Sequence, residues 1–166
     1  MSNVLRFKVE LLDTSPPIWR RIEVPGDYSF WDLHVAIQAA MGWTDTHLHA
    51  FELVDGRLGR VEIGIPDPDG EAAVVPGWKR NLREHLKRPG DTLDFEYDFG
   101  DSWRHSVVFE AETPAAPRSR YPRCVDGARK CPPEDCGGPP GFEDFLEVVS
   151  DPDHPEHEDT LSWCGG

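Results

Sequence analysis

Two aromatic-rich stretches around a short Gly-Asp-Ser turn constrain this chain more than any other feature. In 93–99, Leu93, Phe95, Tyr97 and Phe99 alternate with Asp94, Glu96 and Asp98; in 103–110, Trp103, His105, Val107 and Phe109 alternate with Arg104, Ser106, Val108 and Glu110. A period of two places one set of side chains on one face of a strand. The two strands must pair with their apolar faces matched, because a slip of one residue carries the whole set into water. A two-residue loop at Gly100-Asp101 mixes the faces. A three-residue loop, Gly100-Asp101-Ser102, matches them, pairing Phe99 with Trp103, Tyr97 with His105, Phe95 with Val107 and Leu93 with Phe109. It also sets Asp98 opposite Arg104 and sends His105 to the aromatic side.

The rest of the chain supplies further strands and two clear helices. Residues 5–11 and 18–24 alternate in the same way around Asp13-Thr14-Ser15-Pro16-Pro17 and read as a hairpin. Ser29 with Asp32 three residues on is a helix start; Phe30, Leu33, Ile37, Ala40 and Met41 follow at helical spacing, and Gly42 stops them. Strands are expected at 48–54 and 57–65, a loop at Pro66-Asp67-Pro68-Asp69-Gly70, and a short turn of helix after Asn81. Phe142, Phe145, Leu146 and Val149 mark an amphipathic helix. The fold class is therefore α+β, a mainly antiparallel sheet with two or three helices. Its strand-strand-helix-strand opening follows the β-grasp order, an analogy that carries no function.

One domain over 1–166 accommodates these elements. Within it, 112–140 reads as one long loop, with seven prolines in 29 residues. A loop of that length needs something to pin it. Its cysteines, Cys124, Cys131 and Cys136, are candidate zinc ligands, with His105, Cys164, His154 or His157 as a fourth. The spacing is wider than a C-x2-C knuckle, so free thiols are the plainer expectation. Asp98, Asp101 and His105 lie within eight residues, a set that could hold a hydrated divalent ion for hydrolysis. The register argument separates His105 from Asp98 and favours turn roles for the acids. His47 and His49 share a face if 46–54 is a strand.

Charge narrows the partners. The net charge is −14, and 131–166 holds ten acids with no Lys or Arg. Polyanions repel such a surface, so direct binding to nucleic acid or anionic lipid is not expected. The basic groups Lys79, Arg80, Arg83, Lys87, Arg88 and Arg118, Arg120, Arg123, Arg129, Lys130 are expected to meet the acidic tail or water. No run of apolar residues is long enough to span a bilayer, and the N-terminus lacks a secretory pattern, so a cytoplasmic protein with reduced thiols is expected.

Pro17-Ile18-Trp19-Arg20-Arg21, Asp98-Phe99-Gly100-Asp101-Ser102-Trp103-Arg104-His105 and Cys131-Pro132-Pro133-Glu134-Asp135-Cys136-Gly137-Gly138-Pro139-Pro140-Gly141-Phe142 together resemble the plasmid pRiA4b ORF-3-like family. The resemblance runs over essentially the whole chain. Members occur in bacteria, archaea and mobile elements, and some are labelled resolvase-like or insertion-element passengers. No biochemical activity comes with the family, and these residues show no recombinase serine with an arginine cluster and no helix-turn-helix. Members tend to continue past the segment matching Trp163-x-Gly165, so the resemblance implies a final element beyond Gly166 or one supplied differently.

The function expected from the residues is a non-catalytic binding module for a protein or small ligand. Its surface would comprise Gly100, Asp101, Trp103, Glu134, Asp135, Gly137 and Gly138, where a Gly-rich turn faces a Pro/Gly-rich loop. The alternative is a metal-dependent hydrolase or nuclease built on Asp98, Asp101 and His105.

Overall fold

The computed structural model describes residues 3–67 and 73–163. Eight strands form one sheet: β1 (Asn3–Leu11), β2 (Ile18–Pro25), β3 (His49–Asp55), β4 (Gly59–Gly64), β5 (Val74–Pro76), β6 (Thr92–Tyr97), β7 (Trp103–Pro114) and β8 (Arg123–Ala128). Their order is β5-β4-β3-β6-β7-β1-β2-β8, and every neighbouring pair is antiparallel except β4 with β5. Among the described residues three α-helices complete it: α1 (Phe30–Met41), α2 (Gly138–Ser150) and α3 (His157–Trp163). The α+β class and the strand-strand-helix-strand opening are as expected from the sequence. The expected loop at 66–70 lies largely outside the described residues.

Alternation explains the two faces of the sheet. Leu5, Phe7, Val9 and Leu11 of β1 are buried and meet Phe30, Leu33, Ile37 and Met41 of α1 in one core with Phe51, Phe95 and Val107. The Ser29–Asp32 capping box is closed in both directions, and Gly42 ends α1 in the left-handed region at φ 84°. The opposite face carries ion pairs, as a one-sided antiparallel sheet does. Arg21 there is bidentate to Glu110 at 2.7 and 3.2 Å. Burial pushes the Glu23 carboxyl up, but hydrogen bonds from Arg123 and Arg6 outweigh it and hold the group below its ordinary value. Glu23 also ties β8 to the sheet through Arg123 at 2.7 Å. Glu23→Ala should cost about 1–3 kcal/mol in chemical denaturation, since hydrogen bonds to a charged, enclosed group are lost.

The expected loop at 112–140 is shorter than its composition suggests. β7 runs on to Pro114, and Arg123–Ala128 forms β8, an edge strand on β2. The hairpin register also differs: Tyr97 opposes Trp103, Phe95 opposes His105, and Glu96, not Asp98, opposes Arg104. The connection is five residues, 98–102, with Asp98 at φ 60° and Ser102 at φ 57°. Three of the basic residues expected to meet the tail or water pair with acids elsewhere: Arg83 with Glu112, Arg80 with Glu84 and Arg123 with Glu23.

Candidate functional site

The five-residue turn builds one wall of a notch. Asp98 Oδ1 accepts from the amides of Gly100 and Asp101 at 3.1 and 3.3 Å, which fixes the turn and leaves Oδ2 on the His47 side, 3.5 Å from Nε2. Asp101 Oδ2 accepts from the Gly137 amide at 3.2 Å, joining the turn to the 131–137 loop. Gly138 lies so close that a Cβ there would collide with the Asp101 carbonyl, and its φ of 70° suits glycine. Arg20 anchors the start of this loop, donating to Ala40 O at 3.1 Å and Ala128 O at 3.2 Å beside the Cys131 sulfur. The Gly138→Ala variant should loosen the turn–loop junction, read as faster amide exchange at Gly137.

Glu134 forms the floor. Its Oε1 accepts three hydrogen bonds, from Thr44 N at 2.8 Å, Thr44 Oγ1 at 3.1 Å and Tyr97 OH at 2.9 Å. Its Oε2 is enclosed and has no hydrogen-bond partner. Burial pushes the Tyr97 phenol up, and the adjoining Glu134 adds to the rise, so the hydroxyl stays a donor. His47 closes the notch. Its Nε2 lies 2.8 Å from Asp135 Oδ1, 3.5 Å from Asp98 Oδ2 and 4.0 Å from Glu134 Oε2. The Asp135 contact is close enough for an ion pair but off-axis for a hydrogen bond, so Nε2 is enclosed and unbonded. Leu48 and Phe99, both about half exposed at 54% and 50%, border the opening.

The structure separates the expected catalytic trio. His105 is fully buried, with Nδ1 3.1 Å from Phe95 O and Nε2 accepting from Trp43 Nε1 at 3.3 Å. Burial lowers its pKa to about 4, against a smaller upward pull from backbone hydrogen bonds. It is a neutral core imidazole, while Asp98 and Asp101 shape the turn. His47 occupies the place by the acids that the sequence offered to His105. Trp103, expected on the ligand surface, is 0% exposed and packs on Trp43 and Phe142. Gly138 is buried too, whereas Gly100, Asp135 and Gly137 are exposed and Asp101 and Glu134 partly so.

The cysteines stand apart. Cys124 is exposed on β8, and Cys131 and Cys136 are half-buried. No three of Cys124, Cys131, Cys136 and His105 converge among the described residues; Cys164 lies outside them. His154 and His157 serve the α2–α3 junction, His154 accepting from Glu156 N and His157 contacting Val148 O. Burial pushes the Cys136 thiol up to about 11 and raises that of Cys131, with Arg20 pulling the other way. In a Cys164→Ser background, Cys124 should therefore react fast with an aromatic disulfide reagent and the other two slowly.

Two groups of potential metal ligands converge among the described residues: His47 with Asp98 and Asp135, and His34 with Asp45 and His49. The second is poorly shaped for one ion. The His34 and His49 rings are stacked, 3.7 Å apart and 6° from parallel, so an ion in the plane of one ring lies well out of the plane of the other. The pair His47 and His49 is also split, since β3 starts at His49 and His47 turns into the notch. A concavity of about 1090 Å³ lies elsewhere and mixes charges, with Arg57, Arg88 and Arg104 among Glu52, Asp91 and Asp94. His85 presents an unbonded Nε2 on that side. Opposite charges interleaved across so open a cleft favour no one ligand, so the notch is the better candidate.

Fold and notch define an α+β protein with one largely antiparallel sheet and an imidazole–carboxylate recess at a hairpin turn. The chain belongs to the plasmid pRiA4b ORF-3-like protein family, whose profile matches residues 3–166. It is 37% identical over 166 residues to the uncharacterized protein y4hQ of Sinorhizobium fredii (strain NBRC 101917 / NGR234), covering 99% of this chain and 82% of that protein. It is also similar to the crystal structure of the protein of unknown function MM3350 from Methanosarcina mazei Go1, with a TM-score of 0.87 and 39% identity over 98% of this chain and 90% of that one. No helix among the described residues is long and apolar enough to cross a membrane.

Proposed function

We propose that the protein is a binding module, acting as one domain, that takes a positively charged ligand in the notch between the 98–102 turn and the 131–137 loop. One observation carries this: Glu134 Oε2 is enclosed without a donor, in a recess shared with Asp98 and Asp135. An enclosed acceptor without a partner costs about 1–3 kcal/mol, which a cation offsets. The hydrogen bonds from Asp101 to Gly137 and from Tyr97 to Glu134 hold both walls in place before a ligand arrives, which lowers the ordering cost of binding. The net charge of −14 draws cations and repels polyanions. Binding is favoured over hydrolysis because the His105 ring of the catalytic alternative is committed inside the core.

A thermal-shift panel of divalent metals, polyamines and basic peptides tests this. At least one cationic class should raise the melting temperature, and Asp135→Asn should reduce that rise while leaving the unliganded protein folded. A panel without any stabilising cation, or a rise unchanged in the variant, overturns the proposal.

A further inference from the structure

The notch has the donors and spacing of a coordination site. Three side chains from three segments converge there with ligand atoms within 4.8 Å of one another, His47 ahead of β3, Asp98 from the hairpin turn and Asp135 from the loop before α2, and Glu134 Oε2 lies beside them, 4.0 Å from His47 Nε2. Asp98 is more than nine-tenths buried, its side chain 9% exposed. At bond lengths near 2.1 Å, donors around a six-coordinate ion stand about 3.0 Å apart along an edge and about 4.2 Å across the centre. The His47 Nε2 distances to Asp135 Oδ1 and Asp98 Oδ2, 2.8 and 3.5 Å, lie close to the edge value. A second observation points to an occupant: Glu134 Oε2, outside the converging trio, is enclosed without a hydrogen bond, and so is His47 Nε2 within it. A proton shared with Asp135 does not account for them, because the contact is off-axis and leaves Glu134 Oε2 unmet.

We propose that the notch is a divalent metal site, with His47 Nε2 and carboxylate oxygens of Asp98 and Asp135 as its ligands and Glu134 Oε2 beside them as the acceptor for a metal-bound water. This rests on the binding function above and names its ligand. One imidazole with carboxylates suits a first-row ion such as Mn²⁺ or Zn²⁺, rather than the thiolate zinc site expected from the cysteine spacing. Such an ion ties the 44–47 segment, the turn and the 131–137 loop together, so it stabilises the folded protein by mass action.

Calorimetric titration of chelator-stripped, untagged protein with Mn²⁺ and Zn²⁺, and separately with spermidine, is the test. The expected result is one ion per chain. His47→Ala should weaken it by roughly 100-fold and Asp135→Asn by roughly tenfold, ligand losses at least as large as those seen for outer-shell partners. Asp135 is exposed and sits at φ 58°, a conformation asparagine accepts, so that variant keeps its fold. Absence of stoichiometric metal binding, or wild-type affinity in both variants, overturns the metal site. Spermidine binding that Asp135→Asn weakens, without metal binding, overturns it while leaving the cation-binding function standing.

Discussion

Between pH 6.5 and pH 4.5 the protein should lose roughly 4 kcal/mol of folding stability, most of it to two buried imidazoles. Burial lowers the pKa of His105 from 6.5 to about 4. It lowers His49 from 6.5 to about 3, with further depression from the stacked His34 and a smaller upward pull from Asp45. The unfolded chain takes up both protons as pH falls through 6.5, whereas the folded chain resists until near 4 and 3. Stability is therefore full above 6.5 and declines toward the folded values, each group contributing about 1.4 kcal/mol per pH unit inside its window. The lowered carboxyls Glu23 and Asp55 give the same sign only below their ordinary values of 4.5 and 3.8, so they do not confound this range. Urea unfolding at stepped pH should show an uptake approaching two protons. A flat profile would mean that both rings are solvated, and an uptake near one proton that one of them is.

The second large effect is expected at Trp103. Trp103→Ala should cost about 3–5 kcal/mol, seen as a lower urea midpoint with an unchanged slope. The indole is fully buried between Trp43 at 5.5 Å and Phe142 at 6.3 Å. Phe142 is the buried aromatic anchor of α2, so the cavity would also free the loop that carries Glu134 and Asp135. Cation binding should fall along with stability. Trp78→Ala is the control: that indole is 53% exposed, and truncating it should move the midpoint little. Equal effects at the two positions would contradict the assigned packing.

The hairpin shows how far the sequence reaches. Matching aromatic faces sent His105 into the core, and it is there. The same criterion cannot separate a three-residue connection from a five-residue one, because both preserve which face each side chain occupies. Asp98 decides it: its carboxylate bonds the turn amides ahead of it, so it belongs to the bend and not to the ladder. β8 is harder to read, since Arg123–Ala128 has no apolar alternation and its strand character comes from pairing with β2. In the notch, Glu134, Asp135 and Asp101 are legible as polar residues in Gly/Pro-rich connections. His47 is not, because an isolated histidine acquires meaning only when residues fifty and ninety positions away fold against it. The nearby Glu134-Asp135 pair in a proline-rich loop is the one signal that could have asked for such a partner.

Amide chemical-shift mapping during titration with Mn²⁺-free cations and with Zn²⁺ tests the location of binding most directly. Perturbations are predicted to centre on 44–47, 97–102 and 134–138. Shifts centred instead on the charged cleft around Arg57, Arg88 and Arg104, or no localised shifts with any cation, would contradict a preformed cation site at the hairpin turn.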